Sequence, residues 1–209
     1  MEAAAAARLS SGLAQLGLAL VPGQVAALGV LAGELADWNT RVNLTAITDP
    51  AEVVDKHLLD SLAVLPWLRG HTVADVGSGA GFPGLPLAIA DPERRYTLIE
   101  STGKKVKFLQ HAVERLDLPN VEVLHGRAEA LKPSPPFDSV ISRALGPLSD
   151  FVRVAGHLAG RKGRLLAMKG KAPAEELKAL PPGWKALAVH AVRVPGLDAE
   201  RCLVELARV

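Results

Sequence analysis

One alternation narrows the possible folds of this chain more than anything else in it. Short β-branched or aliphatic runs, TVADV (72–76), YTLIE (96–100), VEVLHG (121–126), DSVISRA (138–144) and GRLLAMKG (163–170), alternate with helix-length amphipathic segments at 84–90, 103–117 and 147–159. Strand, helix and strand in regular succession imply βαβ units and a parallel sheet. The end of the chain breaks the rhythm. KALAVHAVRVP (185–195) and RCLVELARV (201–209) are two extended runs joined by GLDAE. That link is too short for a crossover helix, so the pair is predicted to be antiparallel. The expected fold class is therefore α/β, with five mostly parallel strands closing on an antiparallel hairpin.

Before residue 70 the texture is helical. Leu13, Leu16 and Leu20, then Val25, Leu28, Leu31, Leu35 and Trp38, recur at spacings of three and four. Val54, Leu58, Leu62 and Leu65 mark a third helix over roughly 51–67, and Pro22 and Pro50 fall near helix starts. A helical region, 1–70, is expected to pack on an α/β domain, 71–209, as one unit; 209 residues suffice for a substantial core.

The first residues, MEAAAAARLSSGLAQ, put Glu2 where a secretory signal needs positive charge, and the apolar run from Val25 stops at Glu34. Neither a signal nor a membrane span is predicted. The single cysteine, Cys202, excludes an internal disulfide and a thiolate zinc cluster, so a cytoplasmic location and no metal are expected. In the last strand it reads as a buried, inert thiol. A net charge of +2 is too small for a general nucleic-acid coat, so an acidic partner would be gripped by a local patch.

The first predicted strand runs into DVGSGAGFPG (75–84), with glycines at 77, 79, 81 and 84. A glycine-rich turn between a buried strand and a helix lets backbone N–H groups approach a ligand without interference from Cβ atoms. Gly79, Gly81 and Gly84 satisfy the dinucleotide spacing G-x-G-x-x-G, so the motif alone also admits a nicotinamide cofactor. Asp75 before the first glycine suits the cationic amino group and sulfonium of S-adenosylmethionine better than a pyrophosphate. Glu100, at the end of the next strand, could accept from the ribose hydroxyls of either ligand. The terminal hairpin is foreign to the usual dehydrogenase sheet.

Several further stretches occur in order: WNTRVNLTAI (38–47), HLLDSL (57–62), VADVGSGAGFPGLPLAI (73–89), GRAEAL (126–131), FDSVISRAL (137–145) and LLAMKG (165–170). Together they resemble the RsmG family, also called glucose-inhibited division protein B, bacterial methyltransferases of guanine N7 in small-subunit ribosomal RNA. The resemblance spans residues 38–170; the hairpin matches only in architecture. It implies a class I methyltransferase fold, S-adenosylmethionine as cofactor, and one guanine of 16S ribosomal RNA in the 30S subunit as substrate; the protein is separately expected to be a monomer.

The resemblance also distributes roles. Gly77, Gly79 and Phe82 match the cofactor loop, although Phe82 could equally be a core aromatic. Ser101 and Thr102, after the second strand, sit where open α/β sheets bind ligands, but either could simply cap the next helix. Ala128 and Glu129 match the adenine-binding position. Arg143 falls at the junction of cofactor and RNA, and with Lys169 is expected to position the reactants; an ion pair is the competing reading for Arg143. Lys104, Lys105 and Lys107 open a helix whose dipole disfavours cations, which suggests phosphate contacts. Asn39, Asn43, His57 and Lys169 complete the expected RNA contacts. Trp38 fits core packing better, and His57 and Asp60, at i and i+3, could merely pair with each other. No general base is expected, because guanine N7 carries a lone pair and no proton.

Overall fold

The computed structural model describes residues 2–209. Its N-terminal part holds α1 (Ala3–Gln15) and α2 (Pro22–Asn39). Next comes a composite helix: α3 (Pro50–Val53), a π-helical turn (Val54–Leu59) and α4 (Asp60–Leu62). The Asp49 carboxylate caps α3 by accepting from the Glu52 N–H, and Pro50 takes the first turn, where no N–H is needed.

The α/β part runs β1 (Thr72–Val76), α5 (Gly84–Ala90), β2 (Arg95–Glu100), α6 (Gly103–Arg115), β3 (Val121–His125), β4 (Phe137–Arg143), α7 (Leu148–Ala155), β5 (Ala159–Lys169), α8 (Ala174–Lys178), β6 (Trp184–Ala191) and β7 (Cys202–Arg208). The seven strands form one sheet in the order β3-β2-β1-β4-β5-β7-β6. β1 to β5 pair in parallel, and β7 pairs antiparallel with both β5 and β6. The order reverses between β1 and β4, the switch point where open α/β sheets leave a crevice beyond the carboxyl ends of their strands.

Both faces of the sheet are covered, as the continuous apolar strands require. Ile141, Leu166 and Leu203 face a core shared with Leu9 and Leu13 of α1, Leu28, Leu31 and Leu35 of α2, and Phe108 of α6. Their neighbours Val140, Leu165 and Val204 point the other way, onto Leu148, Phe151 and Val152 of α7. The N-terminal helices therefore share a core with the sheet. Trp38 packs edge-on against Phe108 at 5.7 Å, as its place on the apolar stripe predicted.

Three elements differ from the sequence expectation. The third helix contains a π-turn, β5 begins at Ala159 instead of Gly163, and α8 lies in a stretch that showed no pattern. In β5 the added residues begin beside Phe137, across an irregularity in the β4 pairing. No helix among the described residues is long and apolar enough to cross a membrane.

Gly84, the first residue of α5, lies against β1 and β2: an added Cβ would overlap Leu98 and sit 2.7 Å from Asp75 Oδ2. Gly84→Ala is expected to destabilise the protein by about 1–3 kcal/mol through overpacking. The urea midpoint should fall with no change in m value.

Candidate active site at the sheet switch point

The glycine stretch follows β1, and its glycines do two different jobs. Gly81 and Gly84 are packing positions, where a side chain would strike Leu85 and Leu98 respectively. Gly77 and Gly79, both with positive φ, face space: the nearest atoms to an added Cβ are Leu145 Cδ1 at 3.4 Å and the Gly77 carbonyl at 3.8 Å. The open backbone lies at the two glycines assigned to the cofactor loop.

Two carboxylates hold this loop. Glu100, at the end of β2, accepts from the Gly79 N–H at 2.9 Å and from the Thr102 N–H at 2.7 Å. Burial pushes its pKa up, but these hydrogen bonds and Lys105 outweigh burial and hold it below the usual carboxylate value. Two bonds leave about half of a carboxylate's acceptor positions free. Asp75 is 1% exposed; its Oδ2 accepts from the Gly84 N–H at 2.9 Å, and its Oδ1 has no hydrogen-bond partner. Burial drives its carboxyl up to about 7, against the Gly84 hydrogen bond and the charge of Arg143.

Ser101 and Thr102 are exposed, and although Thr102 stands at the N-cap of α6, its hydroxyl makes no capping bond. The Thr102 backbone instead completes the Glu100 clasp. Ala128 is buried and opens a 3₁₀ turn after β3, whereas the Glu129 side chain is exposed. The first N–H groups of such a turn have no partner within it, so the backbone at 128–129 is the donor set available there.

Beside the loop, Arg143 ends β4. It donates to the Lys56 carbonyl at 2.8 Å, to Asp60 Oδ2 at 3.2 Å and to His57 Nδ1 at 3.1 Å. His57 and Asp60 thus converge on Arg143, and the hydrogen bonds link neither to the other, because the π-turn and α4 carry both towards β4. An arginine can only donate, so His57 Nδ1 must be the bare acceptor and the ring proton sits on Nε2. From there it is donated to Thr45 Oγ1 at 2.9 Å. Burial and then the Arg143 cation lower the His57 pKa to about 4 and keep the ring neutral.

The other expected contacts divide. The Phe82 ring is 3% exposed, stacked on His57 at 4.5 Å and lying beneath the Arg143 guanidinium at 5.6 Å. Its ring belongs to the core and not to an open ligand face. Asn39 is turned inward: its side chain accepts from the N–H groups of Leu44 and Thr45 and donates to the Thr45 carbonyl, fixing the loop that presents Thr45 to His57. Asn43 is exposed. Lys169 donates to the Gly146 carbonyl at 2.6 Å and to Glu176 of α8 at 2.8 Å. Lys104 and Lys107 are exposed, Lys105 is half-buried near Glu100, and the ion pairs among the described residues include none of the three. Cys202 is buried, and burial raises its thiol pKa, as an inert thiol requires.

Sequence reading missed Arg201. Its Nε donates to Asp60 Oδ1 at 3.0 Å across 141 positions of chain, so one buried carboxylate holds two arginines. Beyond Arg143 lies a cavity of about 540 Å³ bordered by Asp60, Arg143, Lys169 and Arg201.

A family profile described as rRNA small subunit methyltransferase G matches residues 24–204. The ribosomal RNA small subunit methyltransferase G of Azoarcus sp. (strain BH72) is 50% identical over 204 residues, covering 97% of this chain and 96% of that one. That of Aromatoleum aromaticum is 50% identical over 208 residues, covering 97% and 99%. Among solved structures, an O-methyltransferase from Bacillus cereus in complex with SAH superposes with a TM-score of 0.59 at 17% identity, covering 86% of this chain and 91% of that one. The last is a likeness of fold.

The Asp75 carboxyl gives the site a pH signature. Its folded pKa, about 7, lies above the unfolded value near 3.8, so the stability it contributes is present below pH 4 and lost as pH rises through 7. Relative to Asp75→Asn, the ligand-free protein should lose on the order of 4 kcal/mol between those limits. Paired urea titrations across pH 4–8 measure this; parallel curves would show that the group does not titrate there.

Proposed function

This chain belongs to the rRNA small subunit methyltransferase G family, and we propose that it methylates N7 of one guanine in 16S ribosomal RNA, using S-adenosylmethionine, as a cytoplasmic monomer. The observation that carries the reading is the pairing of an open glycine backbone at 77 and 79 with two buried carboxylates at the sheet switch point.

The residues present fit the cofactor. Asp75 Oδ1 is a buried acceptor without a partner, which suits a cationic ligand and no pyrophosphate. Glu100 retains acceptor positions for ribose hydroxyls, and the backbone at Ala128 and Glu129 offers donors to a purine. When bound, S-adenosylmethionine supplies an electrophilic methyl group on a sulfonium. In this reading Gly77, Gly79, Asp75, Glu100, Ser101, Thr102, Ala128 and Glu129 hold it. Phe82 contributes indirectly, by supporting His57 and Arg143.

The chain's own work is then positioning. Guanine N7 attacks with a lone pair and releases no proton, so the absence of a general base among the converging side chains is no deficit. Aligning two reactants supplies up to roughly 7–11 kcal/mol in intramolecular systems. Arg143 stands between the glycine loop and the cavity, fixed by three hydrogen bonds, and Lys169 closes the far wall. His57 acts through Arg143 in place of RNA, and Asn39 acts through the 40–45 loop.

The decisive experiment is transfer of labelled methyl groups to 30S subunits that lack the modification, followed by mapping of the labelled base. Label at guanine N7 of 16S rRNA is expected; label elsewhere, or none, rejects the proposal. Arg143→Ala and Lys169→Ala should each lower transfer by about 100-fold while melting cooperatively, since small misplacements cost that much. Turnover near normal in both would remove them from the site.

Lys104, Lys105 and Lys107 are assigned to RNA phosphates. Each replacement by Ala should reduce the slope of log K against log salt by about 0.7–0.9, with methyl transfer at saturating RNA little changed. An unchanged slope in all three variants would return them to the solvated surface.

A further inference from the structure

The cavity beyond Arg143 is not used by the cofactor residues. Its volume, about 540 Å³, is typical of small-molecule sites, roughly 300–1,000 Å³. Ile47, Val64, Met168 and Val192 make its walls largely aliphatic. Lys56, His57, Arg143, Lys169 and Arg201 also line it, together with Asp60, 4% exposed and the only acidic residue on the lining. Arg143 and Ala144 border it, and the next residue, Leu145, is what a Cβ added at Gly77 would meet first, at 3.4 Å, so one short segment borders the cavity and approaches the open glycines.

We infer that this cavity receives the target guanine, displaced from the RNA stack, with its N1–H and 2-amino groups directed at Asp60. The inference rests on the methyltransferase reading above and adds the groups that recognise the base. Enzymes that act on one base take it out of the stack into a fitted pocket. Guanine is the base with two adjacent donors on its Watson–Crick edge, which a carboxylate accepts together; adenine would turn a lone pair towards the same oxygens. Asp60 has room for them: Arg143 and Arg201 each take one acceptor position of about four.

The orientation also serves the chemistry. The commonest arginine contact to guanine takes O6 and N7 together, which would block the nucleophilic lone pair. Arg143 already spends three of its five donors on Lys56, His57 and Asp60. Gripping the base by the edge opposite N7 leaves that atom free. The lining includes no Phe, Tyr or Trp, and Phe82 stacks on His57 instead.

Two variants plug the cavity from different walls, Ile47→Trp from the 40–49 loop and Val192→Phe from beyond β6. Calorimetry with S-adenosylhomocysteine and methyl transfer to unmodified 30S subunits are measured together. S-adenosylhomocysteine affinity should stay within about twofold while transfer falls about 100-fold. A variant that binds S-adenosylhomocysteine normally and transfers within about threefold of wild type overturns the assignment. Wild-type protein that labels no guanine sinks the underlying reading and this one with it. A measurement on unaltered protein guards against misfolding of both variants. Met168 is one of two methionines, so its methyl NMR signal is readily assigned. It should shift with guanosine 5′-monophosphate and much less with inosine 5′-monophosphate, which lacks the 2-amino group; equal shifts, or none, count against Asp60.

Discussion

The arrangement of this molecule turns on one side chain, Arg143. It leaves the end of β4 at the sheet switch point and crosses to the N-terminal helices, where Lys56, His57 and Asp60 receive it. A guanidinium is an unusual group to place against a core, because its charge resists desolvation. Here the cost is offset by the Asp60 carboxylate, by a neutral imidazole and by the face of Phe82. The π-turn supplies the geometry. An α-helix offers its interior carbonyls to its own N–H groups, whereas the wider turn at 54–59 aligns the Lys56 carbonyl, His57 and nearby Asp60 on one guanidinium.

That single hub divides the crevice. On one side lie the open glycines and the Glu100 clasp; on the other lie the aliphatic cavity and the second arginine, Arg201. For the proposed reaction, which needs only alignment, such a partition would refer both reactants to the same fixed group. His57 matters for the same reason. Were it protonated, it would turn an N–H on the arginine it is meant to accept from, so burial and the Arg143 charge both favour the neutral ring.

Much of the fold was legible because its signals are local. β1 and α5 fall at the predicted residues, since a buried strand and the glycine turn after it are punctuated within a dozen positions. The antiparallel hairpin followed from loop length alone. α8 carried no apolar stripe, and the extra residues of β5 accompany a β4 irregularity that no spacing reports. Local geometry was legible where glycine leaves the backbone open, at Gly77 and Gly79, and where the Glu100 carboxylate ends β2 beside them. Less legible were the side chains whose surroundings depend on how loops and distant segments fold back on them. Asn39 looked free for RNA because its hydrogen bonds go to a loop whose shape is not encoded by period. The Phe82 ring is covered by His57, 25 positions earlier, which its place in the glycine turn does not report. Arg201 carried no signal at all, for Asp60 is brought to it only by the closing of β7 on β5.

Opposed titrations make the site an electrostatic compromise. Asp75 is raised and His57 lowered, and between about pH 4 and 7 the first contributes less stability as pH rises while the second contributes more. Their slopes oppose each other, so the whole protein can show a flat pH profile although two buried groups beside its crevice are strongly perturbed. The difference lies in what would relieve each. His57 already has both ring nitrogens satisfied, by Arg143 and Thr45, and gains nothing from a ligand. Asp75 keeps one buried oxygen without a partner, so a cationic group arriving at the glycine loop would favour its charged form. The electrostatic cost is therefore concentrated at the one carboxylate that a cationic group at the glycine loop would relieve, whereas the hub beside it satisfies its own polar groups.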